Sequence, residues 1–344
     1  CNFSVSGAEA IESAIKLCSR AQGNERNKFI TCSGSYHGRS SGTLTLSRSG
    51  NFQEGFILSI PQDRVIVIPY DDISSLEKSI ESNTKKGKCE IAAIFLEPIQ
   101  GQGIRIPSTD YLKKVVELCH RSKILVVFDE IKVGMGRMGH FCSFMAEQGL
   151  HPDVVTLSKS LGGGVRAISA MVTTKQIFKR AYGSRESCAL HGSTFGGMGG
   201  ACAAAIETLN LLYEGDFLDQ VKSKGDIFIK KLENLQEKYP SQIKEVLGGG
   251  MLLGLRFHFP KFGLDKLNLS LTSSLLKTYD SVMIAALVRE LFKEHDYLLH
   301  FNGSDPDILH ITPPLISTEE DFDRFIAIMD KILKGGLMSL LKKF

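Results

Sequence analysis

The sequence predicts an α/β protein, a mainly parallel sheet between helices, followed by a smaller C-terminal α+β domain. Three observations carry this. From residue 1 to about residue 210, short apolar runs of strand length alternate with longer segments of helical period. The run Lys123-Ile-Leu-Val-Val-Phe128 is continuously apolar from Ile124 onward, as a centre strand covered on both faces must be. After Gly215 the texture changes to long charged helices, a Gly248-Gly249-Gly250 break and further strands. The expected domains are residues 1–217, binding a ligand, and 218–344.

Strands are expected at 29–32, 64–69, 91–97, 123–129, 153–157 and 168–172, each a four- to seven-residue apolar run. The first helix, 8–20, shows its buried stripe in Ile11, Ala14, Ile15 and Cys18. Further helices are expected at 73–82, 109–121 and 199–213. The second domain reads as a helix at 218–237, a strand at 251–257, a late strand at 307–311 and a closing helix at 319–334, with an irregular loop over 261–274. The opening CNFSVSGAEA passes from a strand directly into a helix, which predicts that residue 1 lies inside a larger polypeptide whose N-terminal segment is missing.

The chain has 344 residues, with Lys+Arg 41 against Asp+Glu 38. That length fits two domains. A net charge of +3 gives no concentrated basic field, so neither nucleic acid nor an anionic membrane is the expected partner, and the ligand is small. None of the 8 cysteines forms a CxxC pair or a zinc-ligand spacing. They read as reduced thiols of a cytoplasmic protein without a metal site. No run approaches the ~18 apolar residues of a membrane span, and no signal peptide opens the chain.

Four stretches could carry chemistry. Ser6-Gly7-Ala8-Glu9 opens the first helix as a capping box, and its free amides can hold an anion; alone, it reads as a plain cap. Asp129-Glu130 ends the centre strand, where ligands of open α/β sheets bind. Ser158-Lys159-Ser160 followed by Gly162-Gly163-Gly164 puts a lysine at the end of a buried strand, where desolvation would free its amine to condense with a carbonyl. His191-Gly-Ser-Thr194 is a small-residue turn with a hydroxyl for a phosphate. Gly134-Met-Gly136-Arg-Met-Gly139 matches GxGxxG, but the five residues Asp129 to Val133 separate it from the apolar run ending at Phe128 and two of them are acidic, so it reads as a loop and not as a dinucleotide site.

An anion cradle, a strand-end carboxylate, a lysine amine and a second hydroxyl, in that order, meet the needs of pyridoxal 5'-phosphate. The sequence resembles the class III aminotransferases of fold type I, the ornithine, 4-aminobutyrate and putrescine group. The resemblance rests on Ser6-Gly-Ala-Glu-Ala10, Ser35-Tyr-His-Gly38, Glu97-Pro-Ile-Gln-Gly101, Asp129-Glu-Ile131, Pro152-Asp153 to Gly164, His191 to Gly197 and Thr312-Pro-Pro-Leu315.

The resemblance implies a seven-stranded-type sheet and a catalytic pair: Lys159, which forms the Schiff base and shuttles the proton, and Asp129, which keeps the pyridine nitrogen protonated. It implies cofactor contacts from Ser6, Gly7 and Ala8 at the phosphate, Tyr36 and Ile131 on the ring faces, and His37, Glu97 and Lys132 around the ring. Thr194 would reach the cofactor of the neighbouring subunit of a homodimer. The implied function moves an amino group between a primary amine, such as an ornithine- or putrescine-like ω-amine, and an aldehyde or keto acceptor. An aminomutase or decarboxylase of the same fold, or a catalytically silent domain of a larger biosynthetic protein, is the alternative.

Departures from the family pattern bear on substrate. Lys132 stands where the family usually has Gln. Gln102 replaces a glutamate and His310 replaces the arginine with which that glutamate pairs. Losing one partner alone would strand a charge at ~3–5 kcal/mol, so the joint loss reads as a change of specificity at two substrate-contacting positions. Met198-Gly199-Gly200 and Val5 also depart from the pattern.

Overall fold

The computed structural model describes residues 1–260 and 272–342, and in them the chain divides into two compact units. The first comprises residues 1–101, 106–136 and 140–217; the second comprises 102–105, 137–139 and 218–344.

In the first unit the strands are β1 (Asn2–Ser4), β2 (Lys28–Cys32), β3 (Val65–Ile68), the short hairpin β4 (Thr84–Lys85) and β5 (Lys88–Cys89), β6 (Ile91–Leu96), β7 (Leu125–Asp129), β8 (Val154–Leu157) and β9 (Ser169–Thr173). The helices are α1 (Gly7–Gln22), α2 (Ser41–Leu46), α3 (Ile73–Ser82), α4 (Tyr111–Arg121), α5 (Lys175–Tyr182) and α6 (Gly199–Tyr213). Seven strands form one sheet in the order β1-β9-β8-β7-β6-β2-β3, all parallel except that β9 runs against both its neighbours.

Every residue of β6 and β7 is buried. Phe29, Ala93, Phe95, Leu125 and Val127 share one face by the alternation of the pleat and join Ile11, Ala14, Ile177 and Ala181 of α1 and α5 in one apolar cluster. The alternate residues Ile30, Ile94, Val126 and Phe128 are also buried, which is why these strands read as unbroken apolar runs. Because β2, β6, β7 and β8 are parallel, the segments that follow them leave from one end of the sheet. Those segments hold His37, Glu97, Ile131 and Lys159.

In the second unit, α7 (Phe217–Lys238, whose first residue belongs to the first unit), α8 (Thr272–His295) and α9 (Glu319–Gly335) accompany an antiparallel sheet of β10 (Ile243–Gly249), β11 (Leu252–Phe257) and β12 (Ile308–Ile311). Of the Gly248-Gly249-Gly250 break, Gly248 and Gly249 end strand β10, paired with Leu253 and Leu252, and Gly250 (φ 51°) opens the turn of the β10–β11 hairpin; Gly248 has φ 107°, and a side chain there would strike the Leu252 carbonyl. Most of the loop expected over 261–274 lies outside the described residues. The strand expected from residue 123 starts two residues later, since Lys123 takes a left-handed conformation (φ 55°) where the chain leaves α4.

Candidate active site

Asp129 ends β7 with its side chain 4% exposed. Its Oδ1 accepts from the Ile131 amide at 3.1 Å and from the Thr156 hydroxyl of β8 at 3.4 Å, and its Oδ2 accepts from His37 Nδ1 at 2.8 Å. A carboxylate oxygen has two lone pairs, so Oδ2 retains one for a further donor. Burial pulls the His37 pKa down, but the hydrogen bond to Asp129 and the charges of Asp129 and Glu97 outweigh it and hold the imidazole above its ordinary value. Its buried Nε2 has no hydrogen-bond partner among the described residues.

The loop after β2 that carries Tyr36 and His37 is tied on all sides. Glu97, at the end of β6, accepts from the Tyr36 amide (2.9 Å) with one oxygen and from the Gly101 amide (3.0 Å) with the other. Burial, offset in part by His37, raises its pKa. Gly38, at φ 131°, leaves no room for a side chain against Thr43 and Ala8. Glu12 of α1 caps α2 by accepting from Gly42 N (3.0 Å) and Thr43 N (3.2 Å). Glu97 therefore serves here as a brace between two turns. Lys132 folds back to donate from Nζ to the Gly101 carbonyl at 2.5 Å, and its methylenes fill the space a side chain on residue 101 would need.

The first turn of α1 is the expected capping box: the Glu9 amide donates to Ser6 Oγ at 3.3 Å, and the Ser6 amide donates to Glu9 Oε2 at 2.9 Å. The Gly7 and Ala8 amides point out of the helix end with no acceptor among the described residues. A Cβ on Gly7 would meet Ile131 at 3.0 Å, so glycine lets the turn approach the segment after β7.

Lys159 lies just past the end of β8, the strand that pairs Thr156 with Asp129. It is exposed, against the expected desolvation, and has a left-handed φ of 44°, a strained conformation for a residue with a side chain. Thr194 is exposed on a loop whose Ser193 and His191 are fastened to α1.

In the second unit, Gln102 and His310 are joined through Asn302, whose Nδ2 donates to the Gln102 carbonyl and lies 3.2 Å from His310 Nε2. The Asn302 Oδ1 is fixed by the amides of Ser304 and Asp305 (2.8 and 2.9 Å), so the amide nitrogen must face the histidine and His310 Nε2 is the acceptor. A neutral bridge thus stands where the family pattern would place an ion pair. The same segment is held by Arg105, whose Nη2 donates to both carboxylate oxygens of Asp305 (2.7 and 2.8 Å). The GxGxxG match is a structural tie: Arg137 donates to the carbonyls of Met251 (3.0 Å) and Pro313 (2.6 Å), and glycines 136 and 139 occupy left-handed turns.

The sequence reading passed over two residues. Asn302 was legible as an Asn-Gly turn former and no more. Arg39, two residues beyond His37, is exposed, with its guanidinium 4.3 Å from the Phe52 ring centroid and 5.9 Å from that of Tyr36. No described carboxylate pairs with it, and a cation stacked beside a candidate site is suited to a substrate carboxylate. Among the described residues no group of side chains could hold a metal ion, and no helix is long and apolar enough to cross a membrane.

A seven-stranded, mainly parallel sheet with a buried strand-end carboxylate and a strained lysine just past the end of the neighbouring strand defines a fold type I aminotransferase scaffold. The chain belongs to the class III aminotransferases, whose family model matches residues 1–333. It is 36% identical over 336 residues to the acetylornithine aminotransferase of Methanocaldococcus jannaschii, spanning 96% of this chain and 73% of that protein. It is similar in structure to the ornithine aminotransferase of Toxoplasma gondii ME49 (TM-score 0.79, 27% identity, 99% of this chain and 73% of that one). It also matches the acetylornithine aminotransferase of Elizabethkingia anophelis (TM-score 0.73, 27% identity, 96% and 74%). The chemistry is therefore amino-group transfer.

Proposed function

We propose that the chain is a pyridoxal phosphate-dependent transaminase that takes the ω-amino group of an ornithine-type donor, including its N-acetylated form, and passes it to a carbonyl acceptor. The observation that carries this reading is Asp129: a buried carboxylate at the carboxyl end of the centre strand, braced by His37, with an acceptor site open on Oδ2. A pyridinium N–H fits that site, and the orphan amides of Gly7 and Ala8 fit a phosphate. Pyridoxal phosphate bound there supplies the electron sink for moving an amino group between carbons.

The chain's own residues do the rest. Asp129 stabilises a proton on the ring nitrogen, and His37 keeps the carboxylate oriented. Lys159 supplies the amine that tethers the cofactor and then carries the proton to and from the substrate carbon. Tyr36 and Ile131 flank the ring, with Ser6 capping the phosphate turn, and Glu97 and Lys132 hold the surrounding turns. Arg39 grips the donor's carboxylate. Gln102 and His310, bridged without a net charge within the second unit, are the candidates for substrate choice.

The active unit is a homodimer. On α6 and its entry loop Phe195, Met198, Ile206, Leu211 and Tyr213 are each 50–65% exposed, and a second copy of the chain is the occupant that would cover them and receive Thr194. The test is to supply pyridoxal phosphate with ornithine, N-acetylornithine or putrescine and an acceptor, and to follow amino transfer. Conversion of the bound cofactor to its amine form by an ω-amine supports the reading. Carbon dioxide release without amino transfer overturns it.

A further inference from the structure

Glu9 does more than close a capping box. A capping box needs one carboxylate oxygen, and Oε2 fills that role, accepting from Val5 N (3.1 Å), Ser6 N (2.9 Å) and Ser6 Oγ (3.1 Å). The other oxygen, Oε1, accepts from Ser193 Oγ at 2.9 Å, across 184 positions of sequence. Ser193 immediately precedes Thr194. One helix turn further along the same face, Ser13 Oγ meets His191 Nε2 at 2.6 Å, and Lys16 Nζ then donates to the Leu190 carbonyl at 3.2 Å. Residues 9, 13 and 16 follow the i, i+4, i+7 spacing of one helical face, so α1 presents a polar rail along which the loop is laid. The loop then crosses β1 at Gly196, where a side chain would strike the Phe3 carbonyl.

We infer that Glu9 is a positioning residue that sets, through one carboxylate, both groups proposed to hold the cofactor phosphate: the Gly7 and Ala8 amides and the Thr194 hydroxyl. This rests on the pyridoxal phosphate reading above. In the homodimer each phosphate would then be placed by two copies of Glu9, one orienting the helix turn and the partner subunit's copy orienting the hydroxyl. The electrostatics agree: burial raises the Glu9 pKa, but the hydrogen bonds from Ser193, Ser6 and Val5 outweigh it and keep the carboxylate below its ordinary range.

Ser193→Ala separates this role from simple capping, since it removes the Oε1 contact and leaves the box intact. The measurement is the pyridoxal phosphate dissociation constant, from the visible absorbance of the bound cofactor, alongside the melting temperature of the cofactor-free protein. Ser193→Ala should weaken cofactor binding about tenfold with no change in the cofactor-free melting temperature. Glu9→Ala should weaken it further, and Glu9→Gln, which keeps an acceptor for the cap and a donor for Ser193, should restore most of the affinity. Wild-type affinity in Ser193→Ala overturns the inference, as does a loss in Glu9→Ala that Glu9→Gln does not rescue. If the wild-type protein itself develops no visible band, the cofactor reading fails, and that result is distinct from a failure of the Ser193 variant alone.

Discussion

His37 and Asp129 form a buried pair: Nδ1 stands 2.8 Å from Oδ2, with side chains 0% and 4% exposed. Each residue comes from a different strand end, so the contact exists only when β2 and β7 are in register on either side of β6. Asp129→Asn should keep the shape of the site but remove the charge that stabilises a protonated ring nitrogen. The expected result is a fall in kcat of about 10²-fold or more with the cofactor still bound. His37→Ala acts through Asp129, leaving Oδ2 without its buried donor at a cost of about 1–3 kcal/mol. A lower melting temperature and a lower kcat should appear together in that variant; an unchanged kcat would remove His37 from the mechanism.

Lys159 carries the second prediction. Lys159→Ala should abolish the visible absorbance of protein-bound pyridoxal phosphate and lower turnover by roughly 10³-fold or more. Its left-handed backbone (φ 44°) adds a stability readout, because Lys159→Gly relieves a strain of about 1 kcal/mol. The glycine variant should therefore melt above the alanine variant while both stay inactive. Equal turnover in Lys159→Ala and wild type would end the assignment.

The sheet was legible because its strands are buried on both faces. Five residues of β7 and six of β6 leave no polar alternation to mistake for a surface strand, and Asp129 stood out as the carboxylate ending such a run. Pairings between distant segments left no local trace. Asn302 meets Gln102 200 positions away, and Ser193 meets Glu9 184 positions away; neither contact has a sequence period to announce it. Arg39 was overlooked because a single cation beside a Tyr-His-Gly turn reads as solvated surface until Phe52 is seen beneath it. The expected desolvation of Lys159 failed for a related reason. Its position after a buried strand predicted burial, whereas the strand ends at Leu157 and the chain turns outward two residues later.

Arg39 gives the third prediction. A guanidinium hydrogen-bonded to a carboxylate contributes about 1.5–3 kcal/mol, or roughly 10- to 150-fold in affinity. Arg39→Ala should raise KM for ornithine or N-acetylornithine by that order with kcat little changed, and should leave putrescine, which has no carboxylate, unaffected. Arg39→Lys should recover part of the loss, since it keeps the charge without the planar fork. Steady-state kinetics on the two donors check this directly, and equal KM shifts for both would remove Arg39 from carboxylate recognition.

Glu130, next to Asp129, supplies a pH test that does not involve turnover. It is fully buried, accepts from Ser143 N (3.0 Å), Ser143 Oγ (2.8 Å) and Phe144 N (3.0 Å), and anchors the segment after the glycine-rich turn. Burial raises its pKa from 4.5 to about 7, against the lowering effect of these hydrogen bonds. A carboxyl group raised on folding binds more protons in the native state than in the unfolded state between those two values. Its stabilising contribution is therefore complete below about 4.5 and is lost as pH rises through about 7. At 1.36 kcal/mol per pKa unit the full swing is about 3 kcal/mol. Glu130→Gln cannot titrate, so the stability of wild type relative to this variant should fall between pH 5 and pH 8. Denaturant unfolding of the cofactor-free protein at the two pH values measures the difference; a constant gap would show that Glu130 is ionised throughout and that its three donors outweigh its burial.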